Sequence, residues 1–326
     1  MTRPLPLNKE LNNKAKLTRN LNPQNGNDSE VISASHLIQA LNAELSWGSR
    51  NEDNSKIDLL LSFNHPWING KRTFLLSQVK SGSSFGKVDK NKIKLYARGI
   101  KEAQKSQNDI CLIWYDHNSK ENYWAYIHRN SKPKVVDLGK NHILSPATRF
   151  EISRCITRST KFNYFNSRGL ILDIRKINST SSISDYRKQV KKRYRNIKHV
   201  ENPLFGIIDI TNFGWNHMFR KSRLLRYKND SLIVIPYLKQ LLSFQPDRHW
   251  IIVFDSNKHK EFTILNYEYV LRYENIKNNN NGDIYEIVIK LIEEVVFPTN
   301  WRNENLLSQK VFRKVIFKSC SLKKMV

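Results

Sequence analysis

The chain is 326 residues long and carries 55 Lys and Arg against 29 Asp and Glu, a formal net charge of +26. Its length exceeds what one core commonly organises and predicts two domains, while the lack of any apolar run near membrane-spanning length predicts a soluble chain with no membrane partner. The three cysteines, Cys111, Cys155 and Cys320, are odd in number and far apart, which excludes a disulfide framework and a zinc-ligand spacing and fits a reducing cytoplasm.

Residues 1–26 are rich in Asn, with several Lys and Arg and few large apolar side chains after Leu21, and read as a disordered basic tail. They lack the continuous apolar stretch of a signal peptide. Ser29-Glu30 opens a segment in which Val31, Ala34, Leu37, Ile38, Leu41 and Leu45 recur at helical spacing, so Glu30 is expected in the first turn of an amphipathic helix. A first-turn acid also complements the helix macrodipole without any chemical duty. Glu44, Glu52 and Asp53 compete for its role, the last two in a stretch flanked by turn residues.

Residues 57–63 and 73–79 are short runs of β-branched and large apolar side chains, separated by His65-Pro66-Trp67-Ile68-Asn69-Gly70-Lys71, whose Pro, Asn and Gly form turns. This is a hairpin with a long connection. Strand alternation places Phe74, Leu76, Gln78 and Lys80 on one face and Leu75, Ser77 and Val79 on the other. Asp58 and Gln78 are oxygen donors of the kind a hard divalent cation prefers. Lys80 adds a cation that can stabilise a phosphate, the other requirement of metal-dependent phosphodiester chemistry.

Glu30 on a first helix, Asp58 on one strand and Gln78-x-Lys80 on the next resemble the PD-(D/E)XK restriction-endonuclease-like superfamily. More narrowly, Ile57-Asp58-Leu59 and Gln78-Val79-Lys80-Ser81-Gly82, followed by Ile110-Cys111-Leu112-Ile113-Trp114 and Tyr123-Trp124-Ala125-Tyr126-Ile127, resemble a prokaryotic branch found among defence genes. Gln78 stands where the general pattern has a second acid. The resemblance implies a domain over 27–130 with a mixed sheet and flanking helices, and a Mg²⁺- or Mn²⁺-dependent nuclease. In it Asp58, Gln78 and Glu30 would hold the metal and Lys80 would stabilise the phosphate and the nucleophile. A nuclease fold that has lost metal affinity through Gln78 and only binds nucleic acid is the alternative.

Beyond Gly82, residues 83–91 are polar and read as a mobile loop from which Ser84 and Lys87 could approach phosphate, or as a plain connection. Ile93, Tyr96, Ile100 and Ala103 suit a crossover helix over 92–103, before strands at 110–115 and 123–128. Pro133 and Gly139 mark a linker over 131–146. The second domain, 147–326, reads as α/β or α+β. Buried strands are expected at 170–174, 204–210 and 250–254 and helices at 184–199 and 231–243, with Asp173, Asp209 and Asp255 near strand ends and assigned no chemistry.

The cationic excess should attract a polyanion. Tyr186, Val190, Tyr194 and Ile197 form a packing stripe, leaving Arg187, Lys188, Lys191, Lys192, Arg193, Arg195 and Lys198 to face outward with no acid among them. A second cluster, Arg220, Lys221, Arg223, Arg226 and Lys228, lies beside Trp215, Phe219 and Tyr227, which suits phosphate contact with base stacking. The expected partner is nucleic acid, DNA ahead of RNA, with a homodimer or a defence-system protein left open. No Gly-rich phosphate loop is present, which argues against an intrinsic ATPase.

Overall fold

The computed structural model describes residues 14–47, 57–89, 92–106, 108–130, 136–159, 170–173 and 183–325; for residues 14–26, 136, 137 and 183 it describes the backbone alone. The chain forms two compact units, one of residues 1–63 and 72–148, the other of residues 64–71 and 149–326. Residues 136–146, part of the stretch read from the sequence as linker, belong to the first, as do residues 147 and 148, read as the start of the second domain. The eight residues 64–71 belong to the second.

The first unit contains α1 (Lys14–Leu41), β1 (Glu44–Trp47), β2 (Leu59–Asn64), β3 (Arg72–Ser81), β4 (Gly86–Asp89), β5 (Lys92–Leu95), α2 (Ala97–Ala103), β6 (Ile110–Asp116), β7 (Glu121–Ile127) and β8 (Val136–Leu138). Its main sheet runs β1-β2-β3-β6-β7, with β3 parallel to β6 and with β1/β2 and β6/β7 antiparallel. β6 is the run Ile-Cys-Leu-Ile-Trp-Tyr-Asp, buried along nearly its whole length, as expected for a central strand covered on both faces. The parallel β3–β6 step needs a crossover, which α2 supplies. Ile100 and Ala103 pack there with Ile110, Leu112, Trp114, Tyr123 and Ala125, and Ile57, Leu76 and Phe85 lean on the same cluster.

The opposite face is covered by α1. Ser33 donates to the Asn122 side-chain oxygen at 2.7 Å, and the Asn122 amide lies 2.8 Å from His36 Nδ1. Asn122 pairs with Tyr115, on the face that also carries Ile113, Val79 and Ser77. The buried stripe of α1 is Ser29, Ser33, Ala34, Leu37, Ala40 and Leu41, whereas Val31 and Ile38 are exposed. Small residues sit where the helix meets the sheet, so the stripe is rotated from the one that large apolar residues alone predict. The helix starts at Lys14, so the tail reading does not hold for 14–26, and Glu30 sits mid-helix. Favourable propagation from a packed segment extends a helix through residues of modest propensity. Residues 1–13 lie outside the described residues, as do Glu52 and Asp53.

Two further expectations change. Residues 92–95 are strand, not helix, with Ile93 and Leu95 buried and α2 beginning at Ala97. The stretch after Gly82 is a tight turn followed by β4, and β4-β5-β8 form a small antiparallel sheet. Gly82 adopts φ +83, a turn conformation that costs glycine little. A Cβ on Gly86 would meet the Trp114 ring at 2.9 Å.

The second unit contains α3 (Thr148–Ser159, from Arg149 onward), β9 (Ile171–Leu172), α4 (Ile183–Asn196), β10 (His199–Asn202), β11 (Gly206–Asp209), α5 (Asn212–Met218), α6 (Leu225–Val234), α7 (Leu238–Ser243), β12 (Arg248–Lys258), β13 (Phe262–Asn278), β14 (Ile284–Pro298) and β15 (Phe312–Lys324). β12 to β15 form a long antiparallel meander. β11 runs parallel to β15, β10 pairs with β11, and β9 joins β13. This is helices grouped ahead of long antiparallel strands, an α+β arrangement, in place of the simple α/β alternation. Pro236 lies in a 3₁₀ turn, Ile235–Tyr237, that divides the expected 231–243 helix. Asp255 falls inside β12, away from a strand end.

One face of the meander encloses a charged core. Arg154 from α3 donates to Glu293 at 2.8 and 3.1 Å, to Glu151 at 2.8 Å and to the Tyr269 hydroxyl at 2.9 Å, and Arg313 also bonds Glu293. Burial alone would raise the Glu293 carboxyl, but Arg154 and Arg313 outweigh it and hold it at about 2. Beside them the 64–71 segment contributes Trp67. Its Nε1 donates to the Pro203 carbonyl at 2.9 Å, its ring lies 5.0 Å from the Arg313 guanidinium, and it fills the space above Gly206, which holds φ +64.

Candidate metal centre and basic surfaces

Asp58 lies one residue before β2, with its backbone N–H donating to the Ser77 carbonyl at 3.0 Å. That bond ties it to the end of β3. Its Oδ2 accepts the Val79 N–H at 2.6 Å and stands 4.0 Å from Lys80 Nζ. Both side chains are largely buried, Asp58 at 10% exposure and Lys80 at 18%. On the same face of β3 as Lys80 comes Gln78, opposite Leu112 in the β3–β6 register. It is completely buried, and among the described residues neither its Oε1 nor its Nε2 has a hydrogen-bond partner. Beyond them, Phe85 carries Lys80 Nζ at 6.0 Å and the Arg98 guanidinium at 5.2 Å from its ring centroid.

Asp58, Gln78 and Lys80 are therefore brought together. Glu30 comes from α1, the helix packed on the Ser77/Val79 face of β3, and is half-buried. A group of three or more His, Cys, Asp or Glu able to hold a metal is absent among the described residues. The donors here are one carboxylate and one amide. A buried amide oxygen without a partner costs about 1–3 kcal/mol, and that cost disappears when a hard cation accepts it. The residues thus fit Mg²⁺ or Mn²⁺ as two oxygen ligands of an ion that keeps several waters.

The basic residues divide into two kinds. On α4, Tyr186, Val190 and Tyr194 face inward, with Val190 and Tyr194 fully buried and the Tyr194 hydroxyl donating to the Thr211 carbonyl at 2.7 Å. Arg187 lies over the Phe219 ring at 4.9 Å and Lys191 over Trp215 at 5.7 Å. Lys188 pairs with Asp185 at 3.2 Å. Lys188, Lys191, Lys192, Arg195 and Asn196 line a cleft of about 330 Å³. A second cleft, of about 420 Å³, is lined by Tyr194, Arg195, Lys198, Ile210, Thr211 and Asn212.

In the 220–228 cluster Arg223 is tied into the unit's packing, whereas Arg220, Lys221 and Arg226 are exposed and make local contacts. Arg223 donates to the carbonyls of Met218 and Cys320 at 3.3 and 3.0 Å, Arg220 contacts His217 at 2.9 Å, and Arg226 donates to the Tyr227 hydroxyl at 2.7 Å. Burial first, then Arg220, Lys318 and Arg223, lower His217 to about 4 and keep it neutral. Trp215 is buried against Tyr194 and Phe219, so it offers no ring face to a base. Aromatic spacing beside cations cannot by itself separate a stacking platform from core. Thr211 and Asn212 went unnoticed in the sequence; the available signal was their position directly after the apolar run 207–210.

Compared with protein-family models, with curated proteins and with solved structures, the chain matches none. Among the described residues, no helix is long and apolar enough to cross a membrane.

Proposed function

We propose that the first unit is a divalent-metal-dependent nuclease, with Asp58 and Gln78 as metal ligands and Lys80 as the cation facing the phosphate. The observation that carries this reading is the Gln78 side chain, wholly buried with neither amide atom partnered among the described residues, on the same strand face as Lys80, which pairs with Asp58. A fold that keeps an unsatisfied amide in its interior has a use for it outside its own hydrogen bonding. A bound Mg²⁺ or Mn²⁺ supplies the Lewis acidity that lowers the pKa of an attacking water. The protein's own part is to hold the donors still. The Val79 N–H fixes the Asp58 carboxylate, the β3 pleat points Gln78 and Lys80 the same way, and the Lys80 ammonium offsets charge that builds on the phosphate oxygens. Glu30, on the helix that covers the Ser77/Val79 face of β3, lies across the sheet from Gln78 and Lys80 and takes no part in this reading.

Nucleic acid is the substrate class that the +26 charge favours, DNA ahead of RNA. A prokaryotic defence system or mobile element, in a cytoplasmic setting, is the context the motif resemblance implies. The test is cleavage of DNA and RNA with Mg²⁺ or Mn²⁺ by the wild type, Asp58→Ala and Lys80→Ala; cleavage undiminished in both variants would sink the assignment. A second reading, a binder that has lost its chemistry, draws on the Val79 and Lys80 contacts that already occupy Asp58 Oδ2. Calorimetric titration with Mn²⁺ separates the two, since metal uptake excludes the binder.

A further inference from the structure

The two clefts beside α4 share Arg195. All of their cationic lining residues come from α4 or directly after it, and neither cleft is lined by an acid. Lys188, Lys192, Arg195 and Lys198 follow one another at three- or four-residue intervals, close to one cation per helical turn of about 5.4 Å. The packing stripe of Val190 and Tyr194 holds these positions outward. A second, uncharged observation lies in the larger cleft. Thr211 lines it, yet its Oγ1 is buried and without a hydrogen-bond partner among the described residues, although its backbone carbonyl is taken by Tyr194.

We propose that this pair of clefts is a phosphate track in the second unit, binding the backbone of a nucleic-acid strand independently of base sequence. Arg195 sits at the junction and engages a phosphate from either side. The Thr211 hydroxyl and Lys198 seat the next phosphate in the larger cleft, and Lys188 and Lys192 hold the preceding ones. The guanidinium suits the junction because its fork of donors can reach two oxygens at once. A hydroxyl donor beside it supplies a neutral contact that salt does not screen. The choice of ligand rests on the nuclease reading; the track itself rests on the clefts, their charge and the orphaned hydroxyl.

The experiment measures anisotropy of a fluorescein-labelled oligothymidylate with the full chain in EDTA over a KCl series, for wild type, Arg195→Gln and Thr211→Val, with thermal melts of each. Arg195→Gln is expected to weaken binding and to reduce the slope of log K against log salt by about 0.7, the loss of one single-strand phosphate contact. Thr211→Val is expected to weaken binding several-fold with the slope unchanged, because the lost group is neutral, and to melt no lower than wild type. An Arg195→Gln protein with the wild-type slope, a Thr211→Val protein that binds as the wild type does, or a wild type that binds no oligonucleotide overturns the proposal. Cleavage with Mn²⁺ is scored separately. Binding that responds as described in a protein that never cleaves leaves the track standing and removes the nuclease reading.

Discussion

Each unit buries polar side chains, and Glu293 and Gln78 are treated in opposite ways. In the second, Glu293 is wholly buried but receives Arg154 and Arg313, while Arg154 is further bonded to Glu151 and Tyr269. In the first, Gln78 is equally buried and neither amide atom has a partner among the described residues. A network whose main groups answer one another is explained by the fold it sits in. An amide without a partner among the described residues calls for a reason outside those contacts, and that contrast is the basis for seeking chemistry at Gln78 and architecture at Glu293.

The largest expected effect would break the comparison on the structural side. Glu293→Gln leaves two buried guanidinium groups with one fewer counter-charge, and a loss of about 3–5 kcal/mol in denaturant-induced unfolding is expected. An unchanged midpoint would mean that the cluster does not hold the second unit together. On the chemical side, Lys80→Ala is expected to slow cleavage by roughly 100- to 1,000-fold, as loss of one preorganised group facing the transition-state charge does. Its melting should move far less than that of Glu293→Gln.

Gln78→Leu sharpens the contrast most directly, because it removes the orphaned amide while keeping a similar volume. Metal-free protein should gain roughly 1 kcal/mol or more in stability, while Mn²⁺ uptake in calorimetry disappears. A destabilised Gln78→Leu would show that the amide has a partner after all.

The last effect, spread over a range of conditions, concerns pH. Burial first, then Lys71 and Arg149, lower His65 to about 4, and burial with Arg158 and Arg154 lowers His249 to about 3. Both are neutral when folded and gain a proton in the unfolded chain below its ordinary value of about 6.5. Stability therefore stays whole above pH 6.5 and falls as the pH drops toward 4, by at most about 1.4 kcal/mol per pH unit for each histidine. Melting curves between pH 7.5 and 4.5 should show this decline, and His65→Gln should flatten part of it.

What could be read from the amino acids alone follows the range of the forces involved. Asp58, Gln78 and Lys80 meet through two neighbouring strands, and alternation suffices to put Gln78 and Lys80 on one face. β6 announces itself as an unbroken apolar run. β5 was misread because Ile93, Tyr96, Ile100 and Ala103 keep helical spacing across a strand–helix boundary, while Ile93 and Leu95 also alternate. The meander went unread although Thr263, Leu265, Tyr267, Tyr269, Leu271 and Tyr273 alternate inward and residues 278–282 close a turn at Gly282. Its charged interior disguised it, because a buried glutamate such as Glu293 looks like a surface residue until its arginines are placed.

The eight-residue insertion 64–71 has a consequence for how the chain is made. Trp67 emerges early in synthesis, but its indole acceptor, Pro203, lies 136 positions further on. Until Pro203 is made, the indole N–H lacks the acceptor it has in the folded chain. No single cut can divide the gene into one fragment for each unit, since a fragment ending near residue 148 carries away a piece of the other's interior. In the intact chain Trp67→Ala should thus leave the first unit unaffected and weaken only the second. The two halves of this polypeptide are stitched together in time as well as in sequence.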